Sequence, residues 1–106
     1  MIRVEVLREG TLVKRISVLG HAMYNDFGKD IVCSSVSTCV ITTVNGILSI
    51  DEDYIEVEEK SGKIIIDVLG KNETLEKLLE NMIDILSELS RDYPKNITVI
   101  SKEGKR

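Results

Sequence analysis

Apolar and charged residues alternate from the second residue onward. In IRVEVL, Ile2, Val4 and Val6 share one side of an extended chain, and Arg3 and Glu5 take the other, the period of a half-buried strand. Glu9-Gly10 supplies a turn. TLVKRISVLG then continues as a second strand, with Leu12, Ile16 and Val18 on one face around Lys14, so the two form an antiparallel hairpin. Gly20 ends the strand and a loop follows over 22–29. From Asp30 to about Ser49 the period changes. Val32, Val36, Cys39, Val40, Val44, Ile47 and Leu48 recur mostly at threes and fours, which is helical spacing. The β-branched residues there favour a strand by preference alone. Length decides for a buried helix, because nearly the whole run lacks a turn signal until Asn45-Gly46.

YIEVEE and KIIIDVLG read as a second hairpin turning at Ser61-Gly62. The segment after it carries a stripe of Leu75, Leu78, Leu79, Met82, Ile83, Leu86 and Leu89, with Asn72 as N-cap and Pro94 as stop. NITVIS is a last strand. The order β-β-α-β-β-α-β predicts an α+β fold of two layers, a mostly antiparallel sheet with two helices packed on one face. Residues 1–106 hold no linker or repeat and are expected to form a single domain. Three successive isoleucines, Ile64, Ile65 and Ile66, put apolar surface on both sides of their strand, and a homodimer is one way to cover the second side.

Composition narrows the function classes. No apolar run is seen to approach the roughly 20 residues of a membrane span, and the alternating N-terminus is unlike a signal peptide. A cytoplasmic protein without membrane contact is expected. The formal charge is −4, and no Lys/Arg cluster breaks the acidic balance before the closing KEGKR, so nucleic acid is a poor direct ligand while a basic peptide is attracted. Two cysteines, Cys33 and Cys39, lie six apart in one element, unsuited to a mutual disulfide. With His21 they lack the spacing of a zinc site. Neither a metal nor another cofactor is expected.

The chemistry concentrates in GHAMYNDFGKDIVCSSVS, Gly20 to Ser37, which holds the chain's one histidine. A nucleophilic thiol must be partly thiolate, and the first turn of a helix lowers its pKa. A helix beginning near Asp30 puts Cys33 there, with the N–H groups of Cys33 and Ser34 available to a developing oxyanion. His21, across the loop, can fold back as general base and then acid. Asp30 can cap the helix or orient His21. Gly28 permits a sharp turn, and Tyr24 and Phe27 offer contacts to an apolar substrate residue. Each has a plainer reading. Cys33 and especially Cys39 suit a core, His21 and Asp30 suit caps, the serines suit close helix packing, and Tyr24 and Phe27 suit a sealed loop. The residues alone leave both readings open.

The pattern GHAxYxxxGxDIVCSSVS, carried by Gly20, His21, Ala22, Tyr24, Gly28, Asp30, Ile31, Val32, Cys33, Ser34, Val36 and Ser37, resembles the signature of the bacterial ribosomal-processing cysteine proteases, the Prp family. Chain length, element order and Gly46-Ile47 fit as well. The resemblance implies a homodimeric cysteine protease that removes a short N-terminal extension from large-subunit ribosomal protein twenty-seven. It implies Cys33 as nucleophile, His21 as base, Asp30 and Ser37 in support, and an apolar pocket beside Tyr24 and Phe27 for the aromatic residues before the cut. Two other classes remain: a non-catalytic ribosome-associated module that binds a basic peptide, and a redox-responsive thiol protein.

Overall fold

The computed structural model describes residues 1–20 and 31–104. Five strands and two helices follow one another as expected: β1 (Ile2–Glu9), β2 (Leu12–Leu19), α1 (Ile31–Ile50), β3 (Ile55–Lys60), β4 (Lys63–Val68), α2 (Glu73–Asp92) and β5 (Ile97–Glu103). The strands form one sheet in the order β3-β4-β2-β1-β5. Three neighbouring pairs are antiparallel, and β5 runs parallel to β1.

This order explains why both helices share a face. Through the antiparallel pairings, β2 and β3 point one way, while β4 and β5 point the other. Helix α1 therefore joins two parallel strands by crossing β4, and α2 joins two more by crossing β2 and β1 in the opposite direction along the sheet. Parallel crossovers are right-handed. Reversing both strand direction and direction of travel leaves the helix on the same side, so α1 and α2 meet and pack against each other.

The register aligns the core face across the sheet. Val4 sits opposite Val18 and Val6 opposite Ile16, Ile16 and Val18 opposite Ile66 and Ile64, and Ile2 opposite Ile97, all buried. Helix α2 meets this face with Leu75, Leu79, Met82, Ile83 and Leu86, while Leu78 and Leu89 are partly buried at its margins. The Asn72 side chain accepts from the Leu75 N–H at 3.1 Å, a cap worth about 1 kcal/mol. Arg8, on the core side of β1, reaches up to Glu80 of α2 with a forked ion pair at 2.6 and 3.1 Å.

Two expectations need correction. The face of β2 is not Leu12, Ile16 and Val18 around Lys14: Val13 is buried and Leu12 only half so. Pairing passes from Leu7↔Arg15 to Arg8↔Val13, which leaves Lys14 as the extra residue of a bulge. The bulge resets the phase and keeps the ammonium out of the core. Second, α1 is itself 20 residues long and free of charge, long and apolar enough to cross a membrane by length and composition. Its stripe Val32, Val36, Val40, Val44 and Ile47 is buried in the core. As expected for three successive isoleucines, Ile64 and Ile66 enter the core and Ile65 faces away from the helices, half-buried. That open face also carries the Arg15–Asp67 pair at 2.7 Å and the Arg3–Glu5 pair at 2.7 Å, so it is a mixed surface of apolar and charged residues.

Candidate active site at the start of the first helix

Cys33 is the third residue of α1, inside the first turn. The carbonyls that would close i→i−4 bonds with this turn's N–H groups precede the helix, so the turn presents the positive end of the macrodipole. No acidic side chain stands in the turn to offset it.

Packing adds what periodicity did not. Cys33 continues the stripe Val36, Val40, Val44 and Ile47, and its residue is only 4% exposed. Cys39, read from the sequence as the core cysteine, is half-buried against the edge of the core. Burial pushes the Cys39 thiol up from its ordinary range, which suppresses its thiolate near neutral pH. Of the two sulfurs, Cys33 has the helix-start position and Cys39 the unfavourable one.

Ser34 and Ser35 are exposed beside Cys33, and Ser37 is half-buried one turn on. The Ser35 hydroxyl donates to the Ile31 carbonyl at 2.7 Å, so it serves its own helix. His21, Tyr24, Phe27, Gly28 and Asp30 lie outside the described residues. Their expected meeting with Cys33 is carried by the sequence. What the structure supplies is the point at which that segment begins. Gly20, at φ 75, ends β2 with its N–H donating to the Gly62 carbonyl at 2.9 Å.

On the outer side of α1, a groove of about 520 Å³ runs between the helices, lined by Ser34, Ser35, Thr38, Cys39, Thr42 and Asn81 among others. The sequence reading singled out Ser34 but not the rest. The signal was the absence of any charged residue along α1, whose exposed side consists of Ser, Thr, Asn and Ile. Among the described residues, no group of three or more His, Cys, Asp or Glu side chains is placed to hold a metal ion.

With this geometry established, comparison with known proteins is informative. The family model described as Cysteine protease Prp matches residues 1–98. The ribosomal processing cysteine protease Prp of Staphylococcus aureus is 28% identical over 81 residues, covering 74% of this chain and 76% of that protein. The Bacillus subtilis protein of the same description is 28% identical over 87 residues, covering 76% and 78%. A crystal structure of the S. aureus protease in complex with a substrate peptide superposes with a TM-score of 0.86 at 24% identity, over 96% of this chain and 100% of that one. SMU.848 from Streptococcus mutans gives 0.81 at 22% identity, over 98% and 96%. The structural likenesses establish the fold.

Proposed function

Because the chain belongs to the cysteine protease Prp family, matched over residues 1–98, we propose that it is a ribosomal processing endopeptidase acting through Cys33 and His21. Its substrate is the N-terminal extension of large-subunit ribosomal protein twenty-seven, cut in the cytoplasm during ribosome assembly. The observation that carries this reading is the coincidence of the family match with Cys33 in the first turn of α1.

In this reading the Cys33 sulfur attacks the scissile carbonyl carbon as His21 takes the thiol proton. The tetrahedral oxyanion lies against N–H groups of the first turn, those of Cys33 and Ser34. Collapse breaks the C–N bond, and His21 passes its proton to the leaving amine. Water, deprotonated by His21, then hydrolyses the thioester and restores the thiol. Asp30 orients His21 or caps α1, Ser37 supports the turn, and Tyr24, Phe27 and Gly28 shape the site for the residues before the cut. Since Cys33 is 4% exposed, a carbonyl carbon reaches its sulfur only after the helix start opens toward the substrate. A homodimer accompanies this function, with sedimentation equilibrium as its direct check.

The deciding experiment mixes the purified protein with a peptide spanning the extension and first mature residues of the ribosomal protein from the same organism, and follows masses. Wild type is expected to make a single cut before the mature sequence. Cys33→Ala and His21→Ala are each expected to slow it by about a thousandfold or more. Binding without cleavage would favour a recognition module, and undiminished cleavage by Cys33→Ala would refute the assignment.

A further inference from the structure

Strand β3 ends the sheet, pairing with β4 and, among the described strands, with no other. After Ile55 its residues Glu56, Val57, Glu58, Glu59 and Lys60 are all exposed. Every second residue of an edge strand aims its N–H and C=O outward, a template for another strand. Edges are commonly blunted by bulges, prolines or lysines. Here the register runs without a bulge from Ile55↔Val68 to Lys60↔Lys63, and the one lysine stands at the very end.

The two sides of this edge differ in chemistry. Toward the helices, Val57 and Ile41, 37% and 49% exposed, line a groove of about 240 Å³ together with Val40, Val44 and Ile64, with Asn45 and Glu59 as its polar members. On the opposite side, Glu56 and Glu58 surround a shallow hollow with Asp67, which is itself paired to Arg15. Glu58 meets the exposed Lys60 at 3.2 Å and also feels the charge of Arg15. Asp51, Glu52, Asp53, Glu56, Glu58 and Glu59 put six carboxylates into nine residues that hold no Lys or Arg. Side chains of an added strand would alternate between these two sides.

We infer that the outer edge of β3 docks an extended segment of alternating apolar and Lys/Arg residues, which joins the sheet as a further strand. Apolar side chains enter the Val57–Ile41 groove, and basic ones meet Glu56 and Glu58. A second copy pairing through its own β3 is disfavoured, because such a pair centred on the strand sets Glu58 against Glu58. The inference stands independently of the chemistry at Cys33.

The test uses a labelled peptide, Lys-Val-Lys-Ile-Lys-Val-Lys, titrated against the full chain by fluorescence anisotropy, with amide shifts followed by NMR. Binding that weakens with salt and shifts the β3 and Ile41 amides is expected. The double variant Glu56→Lys/Glu58→Lys should weaken it on the order of tenfold. N-methylating alternate peptide amides, which leaves the protein untouched, should abolish it in one of the two phases. Equal binding by the double variant, equal binding of both methylated peptides, or shifts confined to other elements would each overturn the proposal. So would self-association through β3 that the double variant abolishes.

Discussion

At the scale of single residues, the two cysteines separate by position rather than by type. Cys39 sits half-buried with its thiol pushed up, so its loss removes packing and not chemistry. Cys39→Ala is expected to cost about 1 kcal/mol in urea denaturation and to leave the cleavage rate within about twofold of wild type. Loss of cleavage in this variant alone would move the nucleophile away from Cys33. Gly20, one residue before His21, is constrained differently. At φ 75 it occupies the left-handed region, and an added Cβ would lie 2.6 Å from the Met1 carbonyl oxygen. Backbone cannot yield there as a flexible side chain could. Gly10 at φ 63 has open space around the same position and serves as the control. Gly20→Ala should therefore cost more than the roughly 1–2 kcal/mol that left-handed strain alone imposes, and Gly10→Ala no more than that. Equal urea midpoints for the two variants would remove the Met1 contact from the account.

Among elements, β2 shows why strict alternation misleads. With Lys14 counted, the pattern would turn a lysine toward the helices and Val13 toward solvent. The bulge inserts one residue, and Arg15 and Val13 then fall opposite Leu7 and Arg8. Without Lys14 the sequence Val13-Arg15-Ile16-Ser17-Val18 alternates correctly, so deleting Lys14 should yield a regular hairpin. The expected cost is about 1 kcal/mol or less, read from the urea midpoint. Collapse of the fold on losing Lys14 would show that the bulge itself is required. This locates the limit of sequence reading. Both hairpins, the Asn72 cap and the α2 stripe were legible because each follows from local periodicity and turn chemistry. The β2 phase was not, since a bulge depends on what the partner strand presents. Cys33 was placed in the first turn correctly, but its burial depends on how α1 rolls against the sheet. Pairing of β5 with β1 is likewise set by the crossover and not by NITVIS.

For the molecule as a whole, stability should depend on pH on the alkaline side, and two groups, one buried and one half-buried, set the direction. Burial raises the Tyr54 phenol, with Glu76 adding to it and the nearby Asn72 backbone opposing, and burial raises the Cys39 thiol. The Tyr54 hydroxyl is buried and, among the described residues, meets no partner in full hydrogen-bond geometry, only the nearby Asn72 backbone, so ionising it inside the fold is unfavourable. In the unfolded chain these groups ionise near their ordinary values, about 8.5 for the thiol and about 10 for the phenol. Above those values the unfolded state binds fewer protons than the folded one, and stability falls as pH rises. Urea midpoints should be level from pH 7 to about 8 and decline toward pH 9.5, below the range where lysines lose their charge. The decline should be shallower in a Cys39→Ala/Tyr54→Phe double variant. Its Phe is expected to change stability little at pH 7, because it removes a buried hydroxyl whose nearest polar neighbour, the Asn72 backbone, lies outside full hydrogen-bond geometry. An identical decline in the double variant would assign the alkaline sensitivity to growing repulsion within a chain that already carries −4 at pH 7.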